Sequence, residues 1–312
     1  MLSIVNGPTI APAASEFPSI PSVPNSIRYA FLFILPAVIV LVAIGLAPFF
    51  YVLVLSFHKY RLTWTNRPWV FIGLDNYRYV MNWDRFWHAA WNTIIFSFGS
   101  TTLSFLVGFS LALFLSRRFR GRGILRAIVI IPLLIPPVSV GLMWRFLLHP
   151  LLGLIPWIIK SLTGITVSFF ETGEMAMLSL ILIDTWEWFP FMFLVLLAGL
   201  ESLPKEPFEA AYVDGASRLQ IFRHITLPLM RPVIAVAYLL KFLISLKVYD
   251  IIYTVTTGGP GTATETLSYL IYRQTFAYFW VDLGSSMALI YEYMIILFAV
   301  VFVRYALIKA RV

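Results

Sequence analysis

The chain has 312 residues, of which 60% are hydrophobic and 12% are charged, and its formal net charge is +8. A soluble domain carries about twice that charged fraction, so an ordinary soluble domain is excluded. The sequence has no cysteine, which excludes disulfides and thiolate metal sites, and its four histidines lack ligand spacing. The basic charge does not indicate nucleic-acid binding, because there is no soluble domain on which a basic face could form.

The first predicted element is a proline-rich N-terminal arm, residues 1–27. It holds five prolines and one charged residue, Glu16. This composition predicts a flexible segment, and it lacks the basic start of a signal peptide. We expect the remainder, 28–312, to form one transmembrane domain.

Six apolar runs follow, each long enough for a membrane-spanning helix. Lipid offers no partners to backbone N–H and C=O groups, so each run should be helical, with kinks at the internal prolines. The predicted fold class is therefore all-α, a polytopic membrane protein with six transmembrane helices. The spans are expected at about 29–57, 91–115, 124–148, 175–200, 230–256 and 284–308.

Basic residues near the span ends set the predicted orientation. The turn after the second span is rich in arginine and has no acid, so it is assigned to the cytoplasm, together with both termini and segment 201–228. Segment 58–90, with five basic residues, would then lie outside and disagrees with this choice. The bases that support it are Arg28, Arg117, Arg118, Arg120, Arg122, Arg126, Arg304, Lys309 and Arg311.

A polar segment interrupts the apolar sequence between the fourth and fifth spans. Residues 203–232 predict two short helices. Glu206 and Glu209 suit the positive N-terminal end of the first helix, and Asp214-Gly215 is a turn signal that can end it; residues 218–225 form the second. The residues alone leave two interpretations open, a solvated connection or a docking element for a cytoplasmic protein.

This segment closely resembles the EAA loop of the permeases of ABC importers. A Glu-Ala-Ala triplet is followed by Asp-Gly and, after nine further residues, by Ile-Thr-Leu-Pro. Residues 258–261 with 264–266 are similar to the loop before the last span in the carbohydrate-uptake branch, the maltose-transporter type. The resemblance covers roughly 28–312 and implies the type I ABC-importer permease (MetI-like) fold. The motif residues are Glu209, Ala210, Ala211, Asp214, Gly215, Ile225, Leu227 and Pro228.

The resemblance implies a division of labour within a complex. The loop at about 200–229 would form coupling helices that sit in a cytoplasmic ATPase subunit, present in two copies. Those subunits would hold ATP and Mg, because this chain has no GxxxxGK[ST] motif and no cofactor of its own is expected. A second, similar permease would complete a heterodimer in the lipid of the bacterial cytoplasmic membrane. An extracytoplasmic binding protein would deliver a sugar-like solute to segments 58–90 and 148–174.

Ionisable and aromatic side chains at membrane depth are the candidates for the solute pathway. Helical spacing places Asp184, Glu187, Trp188 and Phe191 on one face, where carboxylates can accept sugar hydroxyls and rings can stack on sugar faces. On this interpretation, Asp184→Asn impairs transport more than assembly. A structural alternative stays open, in which Lys247 pairs with Asp184 or Glu187 and the tryptophans form an interfacial belt.

The resemblance adds positions from the neighbouring spans to this face, although the residue types there differ from those of the family. The sugar itself stays open, because Lys247 and Arg145 suit an anionic sugar whereas Asp184 and Glu187 suit neutral hydroxyls. The full set of candidate pathway residues is Leu133, Pro137, Asp184, Glu187, Trp188, Phe191, Ser245, Lys247, Val248, Tyr249 and Asp250.

The leading functional hypothesis is a permease subunit of a binding-protein-dependent ABC importer for a carbohydrate-like solute. The alternative is a stand-alone ion-coupled secondary transporter with Asp184, Glu187 and Asp250 as cation sites. The hydropathy shows no inverted repeat, and such a carrier does not need the EAA segment. A membrane-embedded enzyme fits worst, because no histidine-rich, paired-carboxylate or nucleophile motif lies together.

Overall fold

The computed structural model describes residues 26–63 and 68–308. Most of the predicted N-terminal arm, together with Lys309 and Arg311, lies outside these residues. The described residues form two compact units that divide between Phe50 and Tyr51. The assignment of 28–312 to one domain stays a prediction.

The described chain is almost entirely helical. Helix α1 (Ser26–Ser56) is followed by the short antiparallel strands β1 (His58–Lys59) and β2 (Val70–Phe71), in which His58 pairs with Phe71. The other helices are α2 (Asp75–Met81), α3 (Asp84–Leu115), α4 (Arg122–Ile130), α5 (Pro137–Leu147), α6 (Leu154–Thr163), α7 (Gly173–Glu201), α8 (Glu206–Val213), α9 (Arg218–Ile221), α10 (Leu227–Leu246), α11 (Leu267–Tyr272) and α12 (Val281–Phe302). A 3₁₀ turn spans Ile131–Leu134, and π-helical turns span Phe222–Thr226, Ile252–Thr256, Arg273–Ala277 and Val303–Ile308.

Five helices of the described chain are long and apolar enough to cross a membrane, and a bent pair makes a sixth crossing if it is counted as one span. The all-α polytopic fold is thereby confirmed. The kink expected at the prolines of the third span is a sharp bend, since Arg122–Leu134 and Pro137–Leu147 meet at 94°. Ile135 and Pro136 each precede a proline and are held at extended ψ values of 130° and 138°, which a helix cannot accommodate.

The fifth predicted span also needs correction at both ends. The second short helix of the polar segment is not separate, because one helix runs from Arg218 to Leu246. It passes through the π-helical turn Phe222–Thr226, where the Leu227 N–H donates to the Phe222 carbonyl. This wide turn lies directly before Pro228, whose ring lacks an N–H and would interrupt a regular α-helical ladder. At its other end the helix stops at Leu246 rather than at 256.

Helices α3 and α7 run in the same direction and form the most extensive helix pair of the second unit. Small residues of α3 face α7 and allow close approach, as is usual between helices in membranes. Gly108 is one point of close approach, because a Cβ there would lie 2.6 Å from Met192 Cβ, 2.8 Å from Phe193 N and 2.9 Å from Phe189 O. Two of these three neighbours are backbone atoms and cannot move aside alone.

We therefore expect Gly108→Ala to destabilise the protein by about 1–3 kcal/mol, the usual cost of overpacking a well-packed interior. The measurement is the thermal unfolding midpoint of the purified protein in detergent. Gly123→Ala in α4 is the matched control, since a Cβ there has nothing within 4 Å and alanine favours helix. Equal midpoints for the two variants would show that the α3–α7 contact is looser than described.

Candidate functional site

A buried ion pair joins three of the candidate spans. Lys241 of α10 has no exposed side-chain surface, and its Nζ lies 2.7 Å from Asp184 Oδ2 of α7. The same ammonium donates to Ser245 Oγ at 2.6 Å and to Ser100 Oγ of α3 at 3.3 Å. The Ser100 hydroxyl in turn donates to the Asp184 carboxylate. Charge and hydrogen bonds are thus satisfied within the chain, as a buried pair requires.

This pairing corrects the structural alternative raised by the sequence. The partner of Asp184 is Lys241, not Lys247, because α10 ends at Leu246 and leaves Lys247 exposed beyond it. Lys241 and Ser245 are one helical turn apart and share a face. Lys241 is not among the candidate pathway residues taken from the sequence, since pairing between helices is not visible in local spacing.

The other predicted residues of α7 surround this pair. Trp188 is half-buried, with the Lys241 Nζ 5.2 Å from its ring centroid. The Phe191 ring contacts the Trp188 ring edge-on at 6.1 Å. Glu187 is buried, and its Oε2 has no hydrogen-bond partner among the described residues. These residues therefore lie near one another as predicted, but the Asp184 carboxylate is bonded to Lys241 inside the protein.

The remaining predicted pathway residues lie at two helix breaks. Leu133 is half-buried in the 3₁₀ turn, and Pro137 is exposed at the start of α5, on either side of the 94° bend. Val248, Tyr249 and Asp250 are half-buried after the end of α10. The ion pairs found within 26–63 and 68–308 include neither Lys247 nor Asp250. In the same part of the chain, no group of three His, Asp or Glu side chains could hold a metal ion.

An aromatic cluster beside these residues was missed by sequence reasoning, which named only Tyr249. Tyr249 stacks on Tyr253 with ring centroids 5.5 Å apart, and it contacts Tyr272 at 4.9 Å. Tyr272 also contacts Tyr269 at 6.3 Å and Phe276 at 5.7 Å. The three- and four-residue spacings within each half could have been noticed, but the contact between the halves could not.

The loop between the two halves of this cluster is anchored by a buried carboxylate. Glu265 has no exposed surface and accepts from Arg85 Nε at 2.6 Å and from Arg273 Nη1 at 2.9 Å. Asn92 of α3 donates to the carbonyls of Thr262 and Glu265, each at 3.1 Å. Arg85 is one of the basic residues that disagreed with the predicted orientation. It is paired with Glu265 inside the protein, so it is a weaker orientation signal than its position suggests.

The loop at about 200–229, which we call the coupling segment after its predicted role, has an exposed part and a packed part. Glu209, Ala210, Asp214 and Gly215 are exposed, and Gly215 has a φ of +72°. Ser217 begins α9 in a reciprocal capping box with Gln220. The packed motif residues are Ala211, which is buried, and Ile225, Leu227 and Pro228, which are half-buried.

A cavity of about 790 Å³ adjoins the exposed part of the coupling segment. Charged side chains and aromatic rings share its lining, which suits a protein surface with both polar and apolar contacts. Nearby, Arg126 connects α4 to the C-terminal ends of α3 and α7 by donating to the Leu115 carbonyl at 2.7 Å and to Glu201 Oε1 at 2.5 Å. Lining residues include Arg117, Lys205, Phe208, Glu209, Tyr212 and Arg218.

Residues 104–312 match the family described as the inner membrane component of binding-protein-dependent transport systems. The trehalose/maltose transport system permease protein of Thermococcus litoralis is 36% identical over 280 residues, which cover 89% of this chain and 93% of that protein. The sulfoquinovosyl glycerol transport system permease protein of Agrobacterium fabrum is 32% identical over 261 residues, 84% of each chain. Among solved structures, a bacterial ABC transporter involved in the import of the acidic polysaccharide alginate matches with a TM-score of 0.76 and 25% identity, over 92% of this chain and 96% of that chain.

These similarities extend over nearly the whole described chain, and they agree with the fold and with the EAA motif. A stand-alone ion-coupled carrier is not favoured by them. In an ABC importer the ATPase is a separate partner, which fits the lack of a Walker-A sequence here. The chain belongs to the family of inner membrane components of binding-protein-dependent transport systems, and it is a permease subunit of an ABC importer.

Proposed function

We propose that this permease carries a carbohydrate or a carbohydrate-like solute across the cytoplasmic membrane. The observation that supports it most strongly is the 36% identity, over 89% of the chain, with a trehalose/maltose permease. Relatives named for sulfoquinovosyl glycerol and for alginate also handle sugar-based solutes. The aromatic rings and carboxylates around the two helix breaks suit such a solute, because rings offer flat apolar faces and carboxylates accept hydroxyl hydrogen bonds.

In the proposed complex, a second, similar permease pairs with this chain as a heterodimer. Two ATPase subunits contact Glu209, Ala210, Asp214 and Gly215, whose exposure leaves them accessible to a partner. A binding protein docks on segments 58–90 and 148–174. Both chain termini and the coupling segment lie on the cytoplasmic side.

The proposed mechanism uses the continuous helix Arg218–Leu246 as a rigid connection between the ATPase and the pathway. A helix of this length extends about 40 Å, so its far end carries Lys241 and Ser245 into the membrane. Closure of the ATPase pair moves the coupling segments together and opens the pathway to the docked binding protein. ATP hydrolysis resets the pathway inward, and this chain performs no covalent chemistry.

The proposed pathway runs along the two helix breaks and the ring face of α7, near the middle of the membrane as in other transporters. Leu133, Pro137, Trp188 and Phe191 contribute on one side, and Val248, Tyr249 and Asp250 on the other. The carboxylate of Asp184 and the hydroxyl of Ser245 act on the pathway through their bonds to Lys241.

We expect the complete transporter in liposomes, with its loaded binding protein, to accumulate a sugar in an ATP-dependent manner. The panel is radiolabelled trehalose, maltose, a glycosyl glycerol and a sugar acid, with methionine as the non-sugar control. Uptake of methionine without uptake of any sugar would contradict the proposed solute class. Uptake that follows an ion gradient without ATP would contradict the proposed energy source.

A further inference from the structure

The Asp184 carboxylate is poorly accessible to a solute, because it is buried together with Lys241. Asp184 is 3% exposed, and the oxygen nearest the ammonium also accepts from Ser100. The groups that first meet sugar rings must therefore be sought elsewhere. We call the set Tyr249, Tyr253, Tyr269, Tyr272 and Phe276 the aromatic ladder.

The aromatic ladder is a continuous series of rings contributed by two separate stretches of chain. Tyr249 and Tyr253 are nearly parallel, with an interplanar angle of 17°. Tyr253 lies 5.7 Å from Tyr272, which lies 5.7 Å from Phe276. These separations fall in the range of favourable aromatic contacts, and they are comparable with the length of one sugar residue.

Burial falls off along the aromatic ladder. Tyr269 is 6% exposed, whereas Tyr253 is 44% and Phe276 is 62% exposed. Tyr269 also contacts the Arg273 guanidinium, 5.8 Å from its ring centroid, and Arg273 is held by the buried Glu265. The ladder is thus fixed in the protein at Tyr269, while the rings of Tyr253 and Phe276 are exposed on its other side.

The position of Asp250 indicates whether the exposed rings face lipid or water. It stands next to Tyr249 and three residues before Tyr253, it is half-buried, and it has no ion pair among the described residues. A carboxylate facing lipid is costly, so this face opens onto water or solute rather than onto acyl chains. A carboxylate beside parallel rings is also the combination that recognises a sugar.

We propose that Tyr249, Tyr253, Tyr272 and Phe276, with Asp250, form a subsite that stacks on the pyranose rings of the solute on its way into the pathway. This proposal rests on the proposed carbohydrate function, and it identifies the residues that bind the sugar rings. The rings recognise apolar sugar faces and the Asp250 carboxylate accepts hydroxyl hydrogen bonds. Tyr269 is a positioning residue behind them.

The test separates a stacking surface from a merely apolar one. Tyr253 and Tyr272 are changed singly to leucine and to phenylalanine in the complete transporter, reconstituted with its loaded binding protein, and trehalose and maltose serve as probes. Leucine keeps the apolar bulk but not the flat face, so the uptake rate should fall about three- to tenfold, the rate equivalent of one lost aromatic contact. Phenylalanine keeps the face, and uptake should stay within about twofold. Tyr293→Leu, at a 66% exposed tyrosine of α12, should not change uptake.

Each other outcome has a definite meaning. If the leucine variants transport as well as the phenylalanine variants, the rings form an interfacial belt or a subunit contact, and the inference is wrong. If leucine only lowers the amount of assembled complex, with normal uptake per complex, the ladder is structural and the inference is again wrong. If the unmodified transporter takes up neither these nor any other sugar, the proposed function itself fails and the subsite fails with it.

Discussion

Replacing Lys241 with methionine should destabilise the protein by about 3–5 kcal/mol, because it leaves the Asp184 carboxylate buried without its counter-charge. Ser100 and Ser245 cannot compensate, since a hydroxyl carries no net charge. The measurement is the thermal unfolding midpoint of the purified protein in detergent, together with the yield of assembled complex. Lys247→Met is the matched control, because that lysine is exposed just beyond α10, and it should leave the midpoint unchanged.

The double variant Lys241→Met/Asp184→Leu should recover most of the lost stability, since replacing both members of a buried pair by apolar groups is often close to neutral. Failure of the double variant to recover would mean that the pair holds α7 and α10 together in a way that apolar packing cannot replace. A midpoint for Lys241→Met equal to that of the control would contradict the buried ion pair.

The ion pair also reverses an expectation from the sequence. The sequence by itself predicts that Asp184→Asn impairs transport more than assembly. With Asp184 bonded to Lys241, we expect the amide to weaken folding first, because it leaves the ammonium uncompensated. If Asp184→Asn kept its stability but lost transport, the carboxylate would instead act by direct contact with the solute.

Changing Glu209 to lysine should abolish uptake while the protein still inserts and folds. Glu209 is exposed in the first turn of α8 and has no ion pair in the described chain. Charge reversal there therefore costs little within the subunit and acts on a partner surface. Glu206→Lys is the control, since Glu206 is exposed in the same turn but lies outside the motif. Normal uptake by Glu209→Lys would contradict the proposed coupling role.

Gly215 allows a second test of the same surface. Its φ of +72° disfavours most side chains, but a Cβ there would meet nothing within 4 Å. Aspartate and asparagine both tolerate this conformation and have nearly the same shape. Gly215→Asp should abolish uptake and co-purification of the ATPase, whereas Gly215→Asn should retain more of both, because only the aspartate adds a charge to the contact. Equal behaviour would mean that the turn itself, rather than a partner surface, is disturbed.

The apolar runs predicted the fold class and the approximate positions of the spans, because hydrophobic length is a local property. The EAA motif was likewise found by its spacing. The 94° bend was underestimated because prolines indicate a break but not its angle. The Lys241–Asp184 pair and the aromatic ladder were missed for a different reason, since each joins residues from different elements and depends on the register between helices.

The π-helical turn Phe222–Thr226 has a consequence for the spacing of the EAA motif. A π turn holds one residue more than a regular turn of α-helix, and each residue rotates the helix by about 100°. The number of residues between Gly215 and Ile225, which is nine, therefore affects the rotation of the helix about its own axis. That rotation determines whether Lys241 faces α7. In the proposed complex, this spacing would therefore determine which side of the helix faces the pathway when the ATPase moves the EAA loop.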